Sequence, residues 1–288
     1  MKKFVALALV LLLALASASG RSRIVTDTLS SSILDKDVPF NVYLPDGFDK
    51  GAQQYPVVYL LHGLYGTHED WKKTGNMKAV ADLLIASGEA VPMVIIMPCA
   101  GDSDVHHVQN GYFNMPGCRY EDFFFEELMP SVEARYRCIS DKGHRAIMGL
   151  SMGGGGSTVY CQRHPDKFSS CYAISAWLDN DRDQVSGTEE KDKEDKLYIV
   201  AKSVVDHSAL DFVKNADAQT LEDLRTVKWF FDCGDDDFLL DLSVKLHQLM
   251  NSKEVHSELR VRDGGHTWEY WHTALYQSLP FASRNFSK

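Results

Sequence analysis

The sequence predicts an α/β fold: a mostly parallel central sheet with an antiparallel N-terminal edge and helices on both faces. Three observations predict it. Short, almost wholly apolar runs recur along the 288 residues, each ending in a turn signal. Stretches of helical periodicity separate them. Continuous apolar character, in place of alternation, marks parallel strands covered on both faces.

In chain order, residues 24–43 read as two strands joined by a turn at Leu34-Asp35-Lys36-Asp37, which makes the antiparallel edge. Residues 56–61 run into His62-Gly63, and Met77, Val80, Ala81 and Leu84 then share one helix face. Residues 93–97 end at Pro98, followed by a second stripe of Phe124, Leu128, Val132 and Tyr136. Residues 145–148 lead into Gly149-Leu150-Ser151, residues 171–174 end in Ser175, and residues 229–231 run into Cys233-Gly234. A third stripe (Leu239, Leu242, Leu246, Leu249) precedes the final strand, residues 258–261, which ends at Gly264-Gly265.

Residues 1–20 read as a cleaved signal peptide. Lys2 and Lys3 precede an apolar run over residues 4–16, and Ala16-Ser17-Ala18 offers the small residues of a cleavage site. That run covers about 20 Å as a helix, short of the roughly 30 Å hydrocarbon core. The expectation is a secreted or periplasmic protein with no membrane span, residues 21–288 forming a single domain. Residues 179–196 hold eight acidic and four basic residues, which predicts a charged surface insertion; a flap over the site is the alternative.

Thirty basic against 40 acidic residues give a net charge of −10, so nucleic acid is not an expected partner. Export makes the six cysteines candidates for disulfides, and a Cys99–Cys118 pair would close one predicted loop. No CxxC and no Cys/His cluster has zinc spacing, so neither metal nor cofactor is expected.

Gly149-Leu150-Ser151-Met152-Gly153 carries the chemistry. G-x-S-x-G between a strand and a Gly-rich helix start puts Ser151 on a strained turn with its hydroxyl exposed. A serine hydroxyl needs a base, and in this topology the base follows the last strand. His266, in Gly264-Gly265-His266-Thr267, fits; His272 lies within the next helix, and His247 and His256 lie away from strand ends. The acid follows the preceding strand. Asp237 is the choice, just before the apolar helix and shielded by Phe238; Asp236 is second, and Asp235 and Asp236 suit turn or capping roles. Oxyanion donors are expected from the backbone N–H groups of Met152 and Leu64.

With these residues in place, the chain resembles the esterase D-like branch of the α/β-hydrolase superfamily. That branch holds S-formylglutathione hydrolases, tributyrin esterases, secreted feruloyl and acetyl-xylan esterases and mycolyltransferases. The resemblance runs from about residue 33 to residue 281. It rests on Val38-Pro39-Phe40-Asn41-Val42-Tyr43-Leu44-Pro45, Tyr59-Leu60-Leu61-His62-Gly63-Leu64, Tyr120-Glu121-Asp122-Phe123, the Ser151 elbow with Gly154, and His266-Thr267-Trp268-Glu269-Tyr270-Trp271. It implies a Ser151–Asp237–His266 triad, in agreement with the residues themselves.

The resemblance implies a secreted serine esterase acting on acylated carbohydrate, with feruloyl or acetyl esters as substrates. A general short-chain carboxylesterase, acyl transfer to a sugar and a non-enzymatic adhesion protein are the alternatives. Gly155 stands where many relatives carry an aromatic residue or His. Together with Gly156 it calls for close packing or substrate clearance, since each costs about 1 kcal/mol in a helix. Trp177 and Tyr65 are candidate pocket residues. The loop over residues 101–117, with His106 and His107, lies where open α/β sheets bind ligands.

Overall fold

A computed structural model describes residues 21–100, 111–115, 117–189 and 195–288. The signal peptide expected over residues 1–20, and His106 and His107, lie outside the described residues. The strands are β1 (Arg23–Ser31), β2 (Lys36–Leu44), β3 (Val57–Leu61), β4 (Val94–Pro98), β5 (Asn114–Met115), β6 (Cys118–Arg119), β7 (Arg145–Leu150), β8 (Ser170–Ile174), β9 (Lys228–Gly234) and β10 (Ser257–Arg262). Eight of them form one sheet in the order β1-β2-β4-β3-β7-β8-β9-β10, and β5 and β6 pair separately. β1–β2 and β2–β4 are antiparallel, and the remaining pairs of the main sheet are parallel.

Strands β3, β4, β7 and β8 are buried at every residue, as their unbroken apolar sequences require. The two-residue period divides them between two cores. Val57, Tyr59 and Leu61 meet Phe124 and Tyr160 on one face; Val58 and Leu60 meet Met77, Leu84 and Leu275 on the other. β10 pairs only with β9 and leaves Glu258 and Val261 exposed.

The helix Met77–Ser87 buries the four residues of its predicted stripe and ends at Gly88 in a left-handed conformation. The second stripe lies on a helical segment from Tyr120 to Arg135, with a π-helical turn over Phe123–Leu128. The first hairpin turns earlier than expected, over residues 32–35. Glu127 causes this: its carboxylate accepts from the Ser31 and Ser32 hydroxyls and from the Ser32 and Ile33 N–H groups. So distant an anchor leaves no local trace in the sequence.

The chain between β8 and β9 builds helices at Arg182–Ser186, Lys196–Asp206, Ala209–Lys214 and Ala218–Arg225. Asp181, Asp195, Ser208 and Asp217 cap them through their side chains. Part of the acidic excess therefore satisfies helix N-termini.

All six cysteines are described and none forms a disulfide, so the Cys99–Cys118 closure is absent. The Tyr120 hydroxyl instead ties to the Cys99 carbonyl at 2.9 Å. Burial pushes the Cys138, Cys161 and Cys233 thiols up, which makes them small apolar core residues. Among the described residues no helix is long and apolar enough to cross a membrane.

Candidate active site

Ser151 leaves the end of β7 with φ 53° and ψ −117°, and the helix Met152–Arg163 starts at the next residue. This is the strained elbow that the glycines permit. A Cβ on Gly149 would lie 2.5 Å from the Gly153 carbonyl oxygen, and one on Gly153 would lie 2.5 Å from that of His62. Ser151 N–H donates to the Ile174 carbonyl at 2.9 Å, and the Ser151 carbonyl accepts from Trp177 N–H at 3.0 Å. The elbow is thereby fixed to β8 and to the segment beyond it.

Gly155 and Gly156 serve packing. A Cβ on Gly155 would lie 2.2 Å from the Trp177 carbonyl oxygen, and one on Gly156 would lie 2.8 Å from the Tyr112 ring. Neither residue lines the cavity beside Ser151.

The loop after β3 lies against the elbow, where a Cβ on Gly63 would meet the Leu150 side chain at 2.5 Å. His62 organises that loop. Its Nε2 accepts from Ala100 N–H at 2.9 Å, so its Nδ1 carries the proton and donates to the Gly63 carbonyl at 2.8 Å. Burial pushes the His62 pKa down to about 4, which keeps the ring neutral. Neither the Leu64 nor the Met152 N–H donates a hydrogen bond to a described residue.

His266 follows β10, and its Nε2 lies 3.0 Å from Ser151 Oγ. Its Nδ1 lies 2.9 and 3.1 Å from the two carboxylate oxygens of Asp237. β9 delivers Asp237 beside this loop, because Gly234 has no side chain to keep Gly264 away. Asp237 is buried and also accepts from Leu239 N–H at 2.9 Å. Burial raises its pKa. Hydrogen bonds from His266, the Leu239 N–H and Ser175 outweigh that and hold the carboxyl below its ordinary value.

The structure thus brings together Ser151, His266 and Asp237 and leaves Asp236 out. Asp236 is exposed, with its N–H on the Gly264 carbonyl, and Asp235 accepts from Gly264 N–H. His272 bonds to the Gly75 carbonyl and His247 to Ser257, both away from the site. Phe238 does not shield Asp237: its ring is 76% exposed and lies 4.6 Å from that of His266.

A cavity of about 330 Å³ opens beside Ser151 and His266, walled by Tyr65, Trp177, Phe238, Trp268 and Trp271. Tyr65 and Trp177 are the pocket residues the sequence suggests, and Trp268 and Trp271 of the His266 motif join them. A larger cavity of about 530 Å³ lies near the far end of the elbow helix and touches none of the three residues. Volume alone would have pointed to the wrong place.

A doubly covered parallel sheet, with a serine at its elbow linked through imidazole to a carboxylate, defines a serine hydrolase of the α/β-hydrolase fold. The family model described as "Putative esterase" matches residues 31–282, and the chain belongs to that family of carboxylic ester hydrolases. A solved ferulic acid esterase aligns with 93% of this chain and 100% of its own, at 48% identity and a TM-score of 0.87. The endo-1,4-beta-xylanase/feruloyl esterase of Xylanibacter ruminicola is 34% identical over 132 residues, 44% of this chain and 18% of that protein. Esterase Rv1288 of Mycobacterium tuberculosis is 33% identical over 136 residues, 47% of this chain and 28% of that one. The matches span under a third of the length of these two relatives.

Proposed function

We propose that the enzyme cleaves feruloyl or acetyl esters of carbohydrate through an acyl-enzyme on Ser151. His266 takes the Ser151 proton as Oγ attacks the ester carbonyl, and Asp237 stabilises the imidazolium that forms. The Leu64 and Met152 N–H groups receive the oxyanion, while the helix behind Ser151 turns its positive end toward it. His266 returns the proton to the departing alcohol. Water, activated by the same imidazole, then releases the acid.

One observation carries this reading: the hydrogen-bonded chain from Asp237 through His266 to Ser151 ends at a cavity with an aromatic lining. Tyr65 and Trp177 are proposed to hold the substrate there. The similarity to a ferulic acid esterase and to the Xylanibacter xylanase/feruloyl esterase supports an aromatic acyl group. Residues 1–20 are proposed as an export signal and residues 21–288 as a single domain, so the enzyme would work outside the cytoplasm.

Ser151→Ala is expected to lower release of p-nitrophenol from its acetate ester by at least about 10⁴-fold, with the fold retained. Turnover that survives in the folded variant would overturn the assignment. Rates on acetyl, butyryl and feruloyl esters of one alcohol then fix the acyl group. Preference for butyryl would make this a general short-chain esterase. A sugar ester formed on adding a free sugar would make it an acyltransferase.

A further inference from the structure

We infer that Tyr270 is a positioning residue for catalysis, anchored by the buried Asp232 carboxylate, and that the pair sets where the His266 loop stands relative to Ser151 and Asp237. The inference rests on the triad reading above. Asp232 lies fully buried on β9 and shares a face of the sheet with Phe230 through the two-residue period. Among the described residues, four hydrogen bonds reach its carboxylate. Oδ2 accepts from the Tyr172 hydroxyl of β8 at 2.7 Å and from Arg260 Nη2 of β10. Oδ1 accepts from Arg260 Nε at 3.2 Å and from the Tyr270 hydroxyl at 2.7 Å. Tyr270 belongs to the last helix, Trp268–Asn285. One side chain thus fastens β8, β10 and that helix to β9, and β9 and β10 are the strands that lead to Asp237 and His266.

Stability alone does not account for this cluster. A carboxylate taken out of water is costly, and apolar side chains of similar volume in place of a buried ionic cluster are often neutral or stabilising. The surroundings would accept them, since the Tyr172, Phe230 and Phe281 rings already pack together here. What the cluster adds is direction. A hydroxyl bonded to a fixed carboxylate oxygen holds the Tyr270 ring at one depth, where apolar contact alone would let it slide.

The His266 loop is shaped on that ring. Arg262, the last residue of β10, lays its guanidinium 3.5 Å from the ring centroid and donates from Nη2 to the Tyr270 carbonyl at 2.6 Å. Gly264 passes so close, at φ 137°, that a Cβ there would lie 2.7 Å from Tyr270 Cδ2. His266 stands two residues further on. On the other side Trp271 follows Tyr270 directly, and its ring meets that of His266 edge to face at 4.9 Å. The imidazole is therefore tied to Tyr270 both through Gly264 and through Trp271, and a shift of Tyr270 reaches it by both routes. Tyr270 itself does not line the cavity beside Ser151, so substrate binding should be spared.

Asp232→Ala would strip Arg260 of its counter-charge and threaten the fold, so the test uses Tyr270→Phe, which keeps the ring and removes only the hydroxyl. Tyr172→Phe is the control: it removes an equal bond from the same carboxylate, on the side of β8. Both are assayed on p-nitrophenyl acetate at a temperature where thermal denaturation shows them fully folded. Tyr270→Phe should lower kcat about tenfold with KM nearly held, a fraction of the roughly 10²-fold that 1 Å of misplacement can cost. Labelling of Ser151 by a fluorophosphonate should slow by the same factor. Tyr172→Phe should keep kcat within about twofold of the wild type. An unchanged kcat in folded Tyr270→Phe, a loss carried by KM, or an equal loss in both variants would overturn the positioning role and leave the esterase intact. A wild type that neither turns over the ester nor takes the label would overturn the esterase reading, and this inference with it.

Discussion

The Trp271 indole N–H donates to the Ser175 hydroxyl at 3.1 Å, and the same hydroxyl helps to lower the pKa of Asp237. Ser175 is fully buried just beyond β8 with φ 47°, and its N–H is fixed on the Asp232 carbonyl at 2.8 Å. The indole takes one acceptor position of the hydroxyl and leaves its single proton for a neighbouring acceptor, the Asp237 carboxylate or the Cys233 sulfur. Asp237 accepts from His266 and the Leu239 N–H, and Ser175, which is neither in the triad nor at the elbow, helps to hold the carboxyl below its ordinary value. Ser175→Ala should lower kcat about tenfold on a given ester with KM nearly held, because a hydrogen bond to a charged group contributes roughly 1.5–3 kcal/mol. Steady-state kinetics on the folded variant check this. An unchanged kcat would show that Ser175 does not support the carboxylate.

Gly155→Ala tests what the glycine run is for. In a solvent-facing helix this change would add about 1 kcal/mol of stability through helix propensity. Here the new methyl would lie 2.2 Å from a main-chain oxygen of Trp177, and main chain cannot swing aside as a flexible side chain does. The clash wins, and a net loss of about 1–3 kcal/mol is expected, as for other overpacked cores. The segment that must shift carries Ser175 and Trp177, so activity should fall too. Urea denaturation decides the sign, and a more stable variant would show that helix and segment separate easily.

These two residues also mark how far the sequence can be read. Each parallel strand announces itself through unbroken apolar runs, because burial on both faces leaves little room for polar side chains in β3, β4, β7 and β8. Ser151 and His266 are legible because the elbow needs glycines at fixed spacing and the base must leave the last strand. Ser175 gives no such signal. A serine at a strand end is common, and its importance comes from a tryptophan 96 residues later. Glu127 at the first hairpin is of the same kind. Their roles depend on which distant segments meet, which local pattern does not encode. Gly155 is legible as a cost but not as a cause, since only the folded chain shows that it faces Trp177 main chain.

The neutral ring of His62 makes stability depend on pH, with a sign that can be worked out. In the unfolded chain the imidazole titrates at its ordinary value near 6.5, and in the folded chain burial lowers this to about 4. Between those values the unfolded state binds a proton that the folded state refuses, so falling pH favours unfolding. The His62 contribution is fully present above pH 6.5 and is lost progressively down to pH 4, by about 3 kcal/mol over the window. Protonation also ends the acceptance of Ala100 N–H by Nε2 and so loosens the loop that carries Leu64. His62→Gln should be less stable than the wild type at pH 7.5, because it gives up the fitted ring. It should lose less on acidification, by about 2 kcal/mol between pH 6.5 and 5, since every other titrating group is common to both proteins. Urea denaturation of both proteins across that range measures the difference. Parallel pH profiles would mean that another group carries the acid sensitivity and that the buried imidazole does not hold the oxyanion loop in the way its two hydrogen bonds imply.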